Sequence, residues 1–323
     1  MKDEFLKRIE PWRRKAQDHL ADNLDSNLER VQEVGRYILL SGGKRLRPIM
    51  FLLTLELCGR STDDLARYSS IFEFLHCASL LHDDVIDEAE TRRKRITANR
   101  RWDNPTAILV GDHLFAKALK LAAEAEKPAL ITVLSDCIAR LAEGQVLELT
   151  HQHDLETSYR TYLEIIIAKT AVLLAASTRV GAILAGVEPR QEEALRGFGL
   201  DLGVAFQMID DLLDWAGEEA VVGKPVGQDI REGKATLPWI RALAGAAGRD
   251  REELLARAGR PGLDDRDWAW LKARVEELGG IDSSQAEAMG YRDRAKERLL
   301  IFEPSPAREL LLELADYVCR RRF

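Results

Sequence analysis

The sequence predicts an all-helical protein, a single large helical bundle, and three observations carry that reading. Apolar residues recur at i, i+3, i+4 and i+7 through most of the length, the spacing that lays one apolar stripe along a helix. No stretch alternates with the period of two that a half-buried strand requires. Glycine (22) and proline (10) are modest for 323 residues, and 46% of the chain is hydrophobic. With no linker-like or low-complexity segment, residues 1–323 read as one domain with a large core.

The punctuation justifies each element in turn. The opening MKDEFLKRIEPW lacks the basic-then-apolar pattern of a signal peptide, so a cytoplasmic setting is expected. Gly42 and Gly43 break the chain, and Pro48 suits the first turn of the helix running through IMFLLTLELC. FEFLHCASLL (72–81) reads as a buried helix ending in LLHDDVID. An apolar face recurs from Ala107 to Leu121. The oiliest stretch, Ile165 to Val187, is cut by Lys169 and Arg179 and reads as a core helix, with no transmembrane segment expected. LGVAFQMI (202–209) leads a further helix into DDLLDW, a polar loop follows, Pro238 starts the next helix, and Glu303 to Pro306 sets off a last amphipathic one. Cys58, Cys77, Cys137 and Cys319 are scattered, which suits buried thiols better than disulfides or a zinc site.

Function is written in a repeated acidic pattern, Asp-Asp-x-x-Asp: Asp83, Asp84 and Asp87, then Asp210, Asp211 and Asp214. On a helix, positions i, i+1 and i+4 fall within an arc of roughly 100°, so each copy presents three carboxylates on one side. Each follows an apolar wall. Holding such charges a few ångströms apart costs on the order of 4 kcal/mol per pair at an effective dielectric near 20, which demands a neutralising cation. Oxygen ligands without Cys or His at matching spacing favour Mg²⁺ over zinc, and Mg²⁺ readily shares its positions with phosphate oxygens. A diphosphate substrate is the natural partner. In a chain that is 31% charged a single copy is cheap by chance, and Asp in a first helical turn is common for dipole reasons. Two copies, each behind an apolar run and each followed by cations, are not explained that way.

Those cations form three groups. Gly42 to Pro48 (GGKRLRP) is a glycine turn with three cations ahead of a helix, suited to close approach and to forked contacts with phosphate. Arg92, Arg93, Lys94, Arg95, Arg100 and Arg101 follow the first triplet immediately. Lys224 and Lys234 lie ten residues apart in the loop after the second. The net charge of −7 argues against nucleic acid as a partner, so these clusters read as phosphate clamps.

GGKRLRP, LLHDDVIDEAETRR, VGDHLFAKAL, EGQVLEL, KTA, FQMIDDLLDW and GKPVGQDIREGKATLP, in that order, resemble the trans-polyprenyl diphosphate synthases, within them the bacterial octaprenyl and heptaprenyl type. The resemblance runs from about Leu28 to the last helix. It implies the isoprenoid synthase fold, helices around a deep central cavity, and a homodimer. It implies condensation of isopentenyl diphosphate with an allylic diphosphate, with three Mg²⁺ per active site and transient membrane contact for product release. Asp83, Asp87 and Asp210 would hold the metal on the allylic diphosphate, with Asp84, Asp211 and Asp214 supporting directly or through water. Arg92, Lys169, Thr170, Gln207, Lys224 and Lys234 would hold the allylic diphosphate. Lys44, Arg47, His76 and Arg93 would hold isopentenyl diphosphate, although His76 by itself reads as a core histidine. The resemblance names no base among the side chains.

Short-chain enzymes of this kind carry an aromatic plug four to five residues before the first triplet, where this chain has Ser79 and Ala78. Leu75, Phe72 and Ile71 lie deeper on the same face, about 5.4 Å per turn, with Phe72 as a candidate floor; a product of about C35 to C40 is expected. Lys94 and Asp103 stand where glycine is common, and Gln145 with Glu148 reverses a common Glu and Gln order. Three rivals are weighed. A terpene cyclase would need a different second motif, and a regulatory or catalytically weak subunit would have lost ligands. A His-Asp metal phosphohydrolase site at His82-Asp83 would need further ligands that His19, His76, His113, His151 and His153 do not supply.

Overall fold

The computed structural model describes residues 2–92, 95–216, 226–260 and 262–320. The helices are α1 (Lys2–Arg8), α2 (Glu10–Asp22), α3 (Glu29–Leu39), α4 (Leu46–Leu57), α5 (Ser70–Ile86), α6 (Ala98–Arg101), α7 (Asn104–Ala123), α8 (Pro128–Thr150), α9 (Tyr159–Ile166), α10 (Val172–Ala185) and α11 (Pro189–Ala216). They continue with α12 (Gln228–Arg231), α13 (Leu237–Gly245), α14 (Gly248–Ala258), α15 (Asp265–Glu277), α16 (Gly280–Arg298) and α17 (Pro306–Cys319). A π turn, Ile167–Ala171, joins α9 to α10. The fold is all-α. Strand among the described residues is limited to a small antiparallel hairpin, β1 (Thr91–Arg92) and β2 (Arg95–Ile96), inside the arginine-rich stretch.

The chain divides into two compact units. One comprises Met1–Ala139, Leu173–Arg196 and Ile301–Leu311. Its centre is α4, where every side chain from Pro48 to Leu55 is buried, as expected of a helix apolar on all sides. Phe51 of α4 meets Phe72 of α5 with ring centroids 5.5 Å apart. On α10, a Cβ at Gly181 would lie 3.0 Å from the Thr54 methyl, so glycine permits that close helix contact. Gly111 of α7 does the same for the end of α5: a Cβ there would stand 2.3 Å from His82 Nε2. Asp103, out of pattern for the family, caps α7 by accepting the Thr106 N–H at 2.6 Å.

The other unit comprises Arg140–Val172, Gly197–Leu300 and Leu312–Phe323. The π turn is closely flanked here by two glycines. A Cβ at Gly144 would come within 2.6 Å of Ala168 Cβ, and one at Gly203 within 2.5 Å of Ala171 Cα. Trp215 at the end of α11 stacks on Trp239 at 6.4 Å and packs on Trp268 at 5.1 Å. Its indole N–H donates to Thr236 at 3.0 Å. Tyr159–Ala185 is long and apolar enough to cross a membrane, yet 72% of its apolar window is buried in the protein, the state of a core helix.

Candidate active site

Both acidic triplets close a helix. Asp83 and Asp84 occupy the last turn of α5, and Asp87 is its C-cap. Glu88 turns into the left-handed region (φ 50°), and the Ala89 N–H reaches back to the Asp84 carbonyl at 3.0 Å, a Schellman ending. Asp210, Asp211 and Asp214 fall in the last two turns of α11. A helix C-terminus carries partial negative charge, so the dipole opposes these carboxylates. The benign explanation by first-turn placement does not apply, and each helix end attracts cations.

Burial separates the carboxylates within each triplet. Asp87 is exposed and Asp83 half-buried, whereas Asp84 is 1% exposed. The Arg92 Nε donates to Asp84 Oδ1 at 2.7 Å. Burial pushes the Asp84 carboxyl up from its ordinary range, and Arg92 pulls it back. Its Oδ2 has no partner among the described residues. Asn99 donates to the Asp84 carbonyl at 3.2 Å and the Thr97 hydroxyl to the Ala89 carbonyl at 2.6 Å, tying the stretch after the hairpin to the end of α5.

In the second triplet Asp210 is half-buried, while Asp211 and Asp214 are buried. Asp211 accepts from the Tyr162 hydroxyl at 2.6 Å and from Gln207 Nε2 at 2.9 Å. Gln207 in turn accepts from the Thr170 hydroxyl at 2.8 Å, so a polar chain links the π turn to the triplet. Burial pushes the Asp211 carboxyl up to about 7, against these hydrogen bonds and with the help of Asp210 and Asp214. Asp214 accepts the backbone N–H groups of Gln228 at 3.2 Å and Asp229 at 3.0 Å, so it caps α12 from the neighbouring helix. Asp84, Asp211 and Asp214 thus spend carboxylate oxygens on protein donors and are buried, whereas Asp83 and Asp210 are half-buried and Asp87 is exposed.

Of the cations in GGKRLRP, Arg45 is buried in the left-handed conformation (φ 54°) and bound to Glu73 and to the Leu39 carbonyl. It anchors the turn, while Lys44 is exposed and Arg47 half-buried on either side of it. His76 is half-buried on α5. Lys169 bonds Glu148. Lys234 pairs with Glu232 at 2.8 Å, and its N–H is held by the Asp229 carbonyl at 2.8 Å. Arg93, Lys94 and Lys224 lie outside the described residues. Ala78, Leu75 and Phe72 are fully buried on α5, and Ser79 is half-buried with its hydroxyl returned to the Leu75 carbonyl at 3.2 Å.

Sequence reasoning missed Tyr162, Glu73 and Asn99, and the partners of Arg45 and Glu148, because each acts through a residue distant in the chain. The strap Gln152-His153 was missed as well. Gln152 donates to the Glu232 carbonyl at 3.2 Å and the His153 N–H to the Gly233 carbonyl at 2.8 Å, holding the loop that carries Lys234. His82 Nε2 bonds the Ile108 carbonyl at 3.0 Å and lies 3.4 Å from Asp112, which ties the ring to α7. Burial pushes the Cys137 and Cys319 thiols up to about 12, which leaves them unreactive.

Among the described residues no three of His, Cys, Asp and Glu are gathered into a closed metal cage. A hard ion such as Mg²⁺ takes one or two carboxylates, keeps water and completes its shell with phosphate oxygens. Asp83 with Asp87, and Asp210, are the groups with accessible carboxylates of this kind.

Residues 28–271 match the polyprenyl synthetase family. The chain is 38% identical over 302 residues to a short chain isoprenyl diphosphate synthase of Methanothermobacter thermautotrophicus, covering 92% of each. It is 34% identical over 325 residues to the octaprenyl diphosphate synthase of Haemophilus influenzae, covering 99% of this chain and 97% of that one. A crystal structure of a Caulobacter crescentus polyprenyl synthase complexed with calcium and isoprenyl diphosphate superposes with a TM-score of 0.91 at 38% identity, over 100% of this chain and 98% of that one. Members of this family use divalent metal and isoprenyl diphosphate substrates. With its paired aspartate triplets, its basic loops and its all-helical fold, the chain belongs to the polyprenyl synthetase family and is a prenyltransferase of the polyprenyl diphosphate synthase type.

Proposed function

We propose that the protein condenses isopentenyl diphosphate with an allylic diphosphate and extends it to about C35 to C40, working as one functional domain over residues 1–323, as a cytoplasmic homodimer. Exposed Ile108 and Leu109 on α7, 40% and 66% accessible, support a subunit contact on that helix. The observation that carries the reading is the split in burial within each triplet: Asp83 and Asp210 are half-buried and Asp87 exposed at helix C-termini, while Asp84, Asp211 and Asp214 are buried on protein donors.

Asp83, Asp87 and Asp210 would hold Mg²⁺, three ions per site, on the allylic diphosphate. When bound, the metal neutralises charge on the leaving diphosphate. Lys169, Thr170, Gln207, Lys224, Lys234 and Arg92 hold that diphosphate, and Lys44, Arg47, His76 and Arg93 hold isopentenyl diphosphate. Charge grows on the departing diphosphate as the allylic carbon–oxygen bond breaks, so cations fixed beforehand lower that barrier. The isopentenyl double bond then attacks the carbocation, and the released diphosphate takes the proton. Asp84, Asp211 and Asp214 position their neighbours.

Product length rests on Ala78 and Ser79, which leave room where a ring would stop the chain, with Leu75 beyond them and Phe72, backed by Phe51, as the floor. The test is incubation of the purified protein with isopentenyl diphosphate, Mg²⁺ and allylic primers of increasing length, with chromatography of the extracted products. Products of C35 to C40 are expected, and Ala78→Phe should shorten them. Identical products from Ala78→Phe and wild type would sink the length assignment. No turnover with any primer in the presence of metal would favour a non-catalytic subunit.

A further inference from the structure

Lys169 lies in the π turn, which packs closely on α8 at Gly144, where a Cβ would come within 2.6 Å of Ala168 Cβ. Glu148 follows four residues later, one turn along the same face of α8, and Gln145 stands next to Gly144 in the chain. Glu148 accepts a charged hydrogen bond from the Lys169 ammonium, with the two side chains 20% and 22% exposed. Gln145 is 8% exposed, and neither its amide nitrogen nor its oxygen has a partner among the described residues. Of the two positions whose order is reversed against the family pattern, the buried one is therefore neutral, and the one within reach of solvent carries the charge that meets Lys169.

A lysine is a compact point charge on a flexible stem. A carboxylate bonded to it both fixes its position and opposes any second anion that approaches the same ammonium. From this geometry we propose that Glu148 is an exchangeable counter-ion: a positioning residue that holds Lys169 before substrate arrives, yields it to the diphosphate, and thereby sets how tightly that diphosphate is held. The proposal rests on the reading above that assigns Lys169 to the allylic diphosphate.

Glu148→Gln preserves shape and a hydrogen-bond acceptor while removing the charge. Calorimetric titration of the full chain with inorganic pyrophosphate, with and without Mg²⁺, should show affinity about threefold to tenfold tighter than wild type. Glu148→Asp, which keeps the charge, should stay near wild type. Lys169→Ala should bind weakly, and adding Glu148→Gln to it should restore much less than it adds in the wild-type background. In steady-state assays Glu148→Gln should lower KM for the allylic substrate and lower kcat together. Unchanged or weaker pyrophosphate affinity in Glu148→Gln at an unchanged melting temperature overturns the proposal. So does a lowered melting temperature with unchanged affinity, which marks a structural role, or an equal gain in the Lys169→Ala background. A wild-type protein that consumes isopentenyl diphosphate while Glu148→Gln fails these criteria loses only this inference; a wild type that consumes none loses the reading beneath it.

Discussion

The two aspartate triplets share a spelling and a place at the end of a helix, but they solve the problem of a buried carboxylate differently. At the end of α5, Asp84 is compensated by the Arg92 guanidinium. At the end of α11, a phenol and an amide hold Asp211, and burial drives it towards the protonated form. Asp214 is held by backbone N–H groups. The first triplet has one half-buried and one exposed carboxylate beside its buried one, and the second has one half-buried beside two buried. The same spelling is, in each copy, a division between buried carboxylates held by protein donors and carboxylates nearer the solvent.

That contrast can be broken most sharply at the reachable positions. Replacing Asp83 or Asp210 by Ala should reduce kcat/KM by about two to three orders of magnitude, the scale of losing one preorganised charge-stabilising group. Initial rates with isopentenyl diphosphate consumption as readout, beside thermal melts that stay near wild type, would establish it. Equal rates for Asp84→Ala and Asp83→Ala without loss of stability would erase the distinction between them.

The next largest effect should be on stability at the first triplet. Asp84→Ala leaves Arg92, one-third exposed, without its counter-ion. A cost of about 2 kcal/mol in urea unfolding is expected, below the 3–5 kcal/mol of a fully buried pair because solvent reaches Arg92.

The smallest effect sharpens the second triplet. Tyr162→Phe removes one donor to Asp211 and should cost about 1 kcal/mol. The same carboxyl gives a pH signature in metal-free protein. Its folded value of about 7 lies above the ordinary 3.8, so the folded state holds the proton more tightly than the unfolded chain. This contribution to stability is full below about pH 4 and is lost as pH rises through about 7. Asp211→Asn should flatten the unfolding profile across that window, and a profile unchanged by the substitution would show that Asp211 titrates normally.

Much of this was legible in the chain. Helical class, the core character of α4 and α5, the turn at Gly42 and Gly43, and both triplets follow from local spacing and apolar runs, because a helix and its buried stripe are encoded within a few residues. The hairpin at Thr91–Ile96 escaped that reading, since two residues per strand are too few to show a period. Asp103 looked like a departure and is an N-cap, a signal that was present in Asp followed by Asn-Pro-Thr.

By itself the sequence determined which residue types are available for diphosphate chemistry and in what order they stand. Only the tertiary structure decided which carboxylates are buried on protein donors, which cation anchors a loop and which stands exposed. Arg45 and Lys44 are neighbours in the chain, yet one is buried against Glu73 and the other is exposed. Lys169 acquires Glu148 from 21 residues away, and Asp211 acquires Tyr162 from 49. A charge's role is set by what lies within a few ångströms of it, and those neighbours are chosen by packing between elements that the local pattern does not specify.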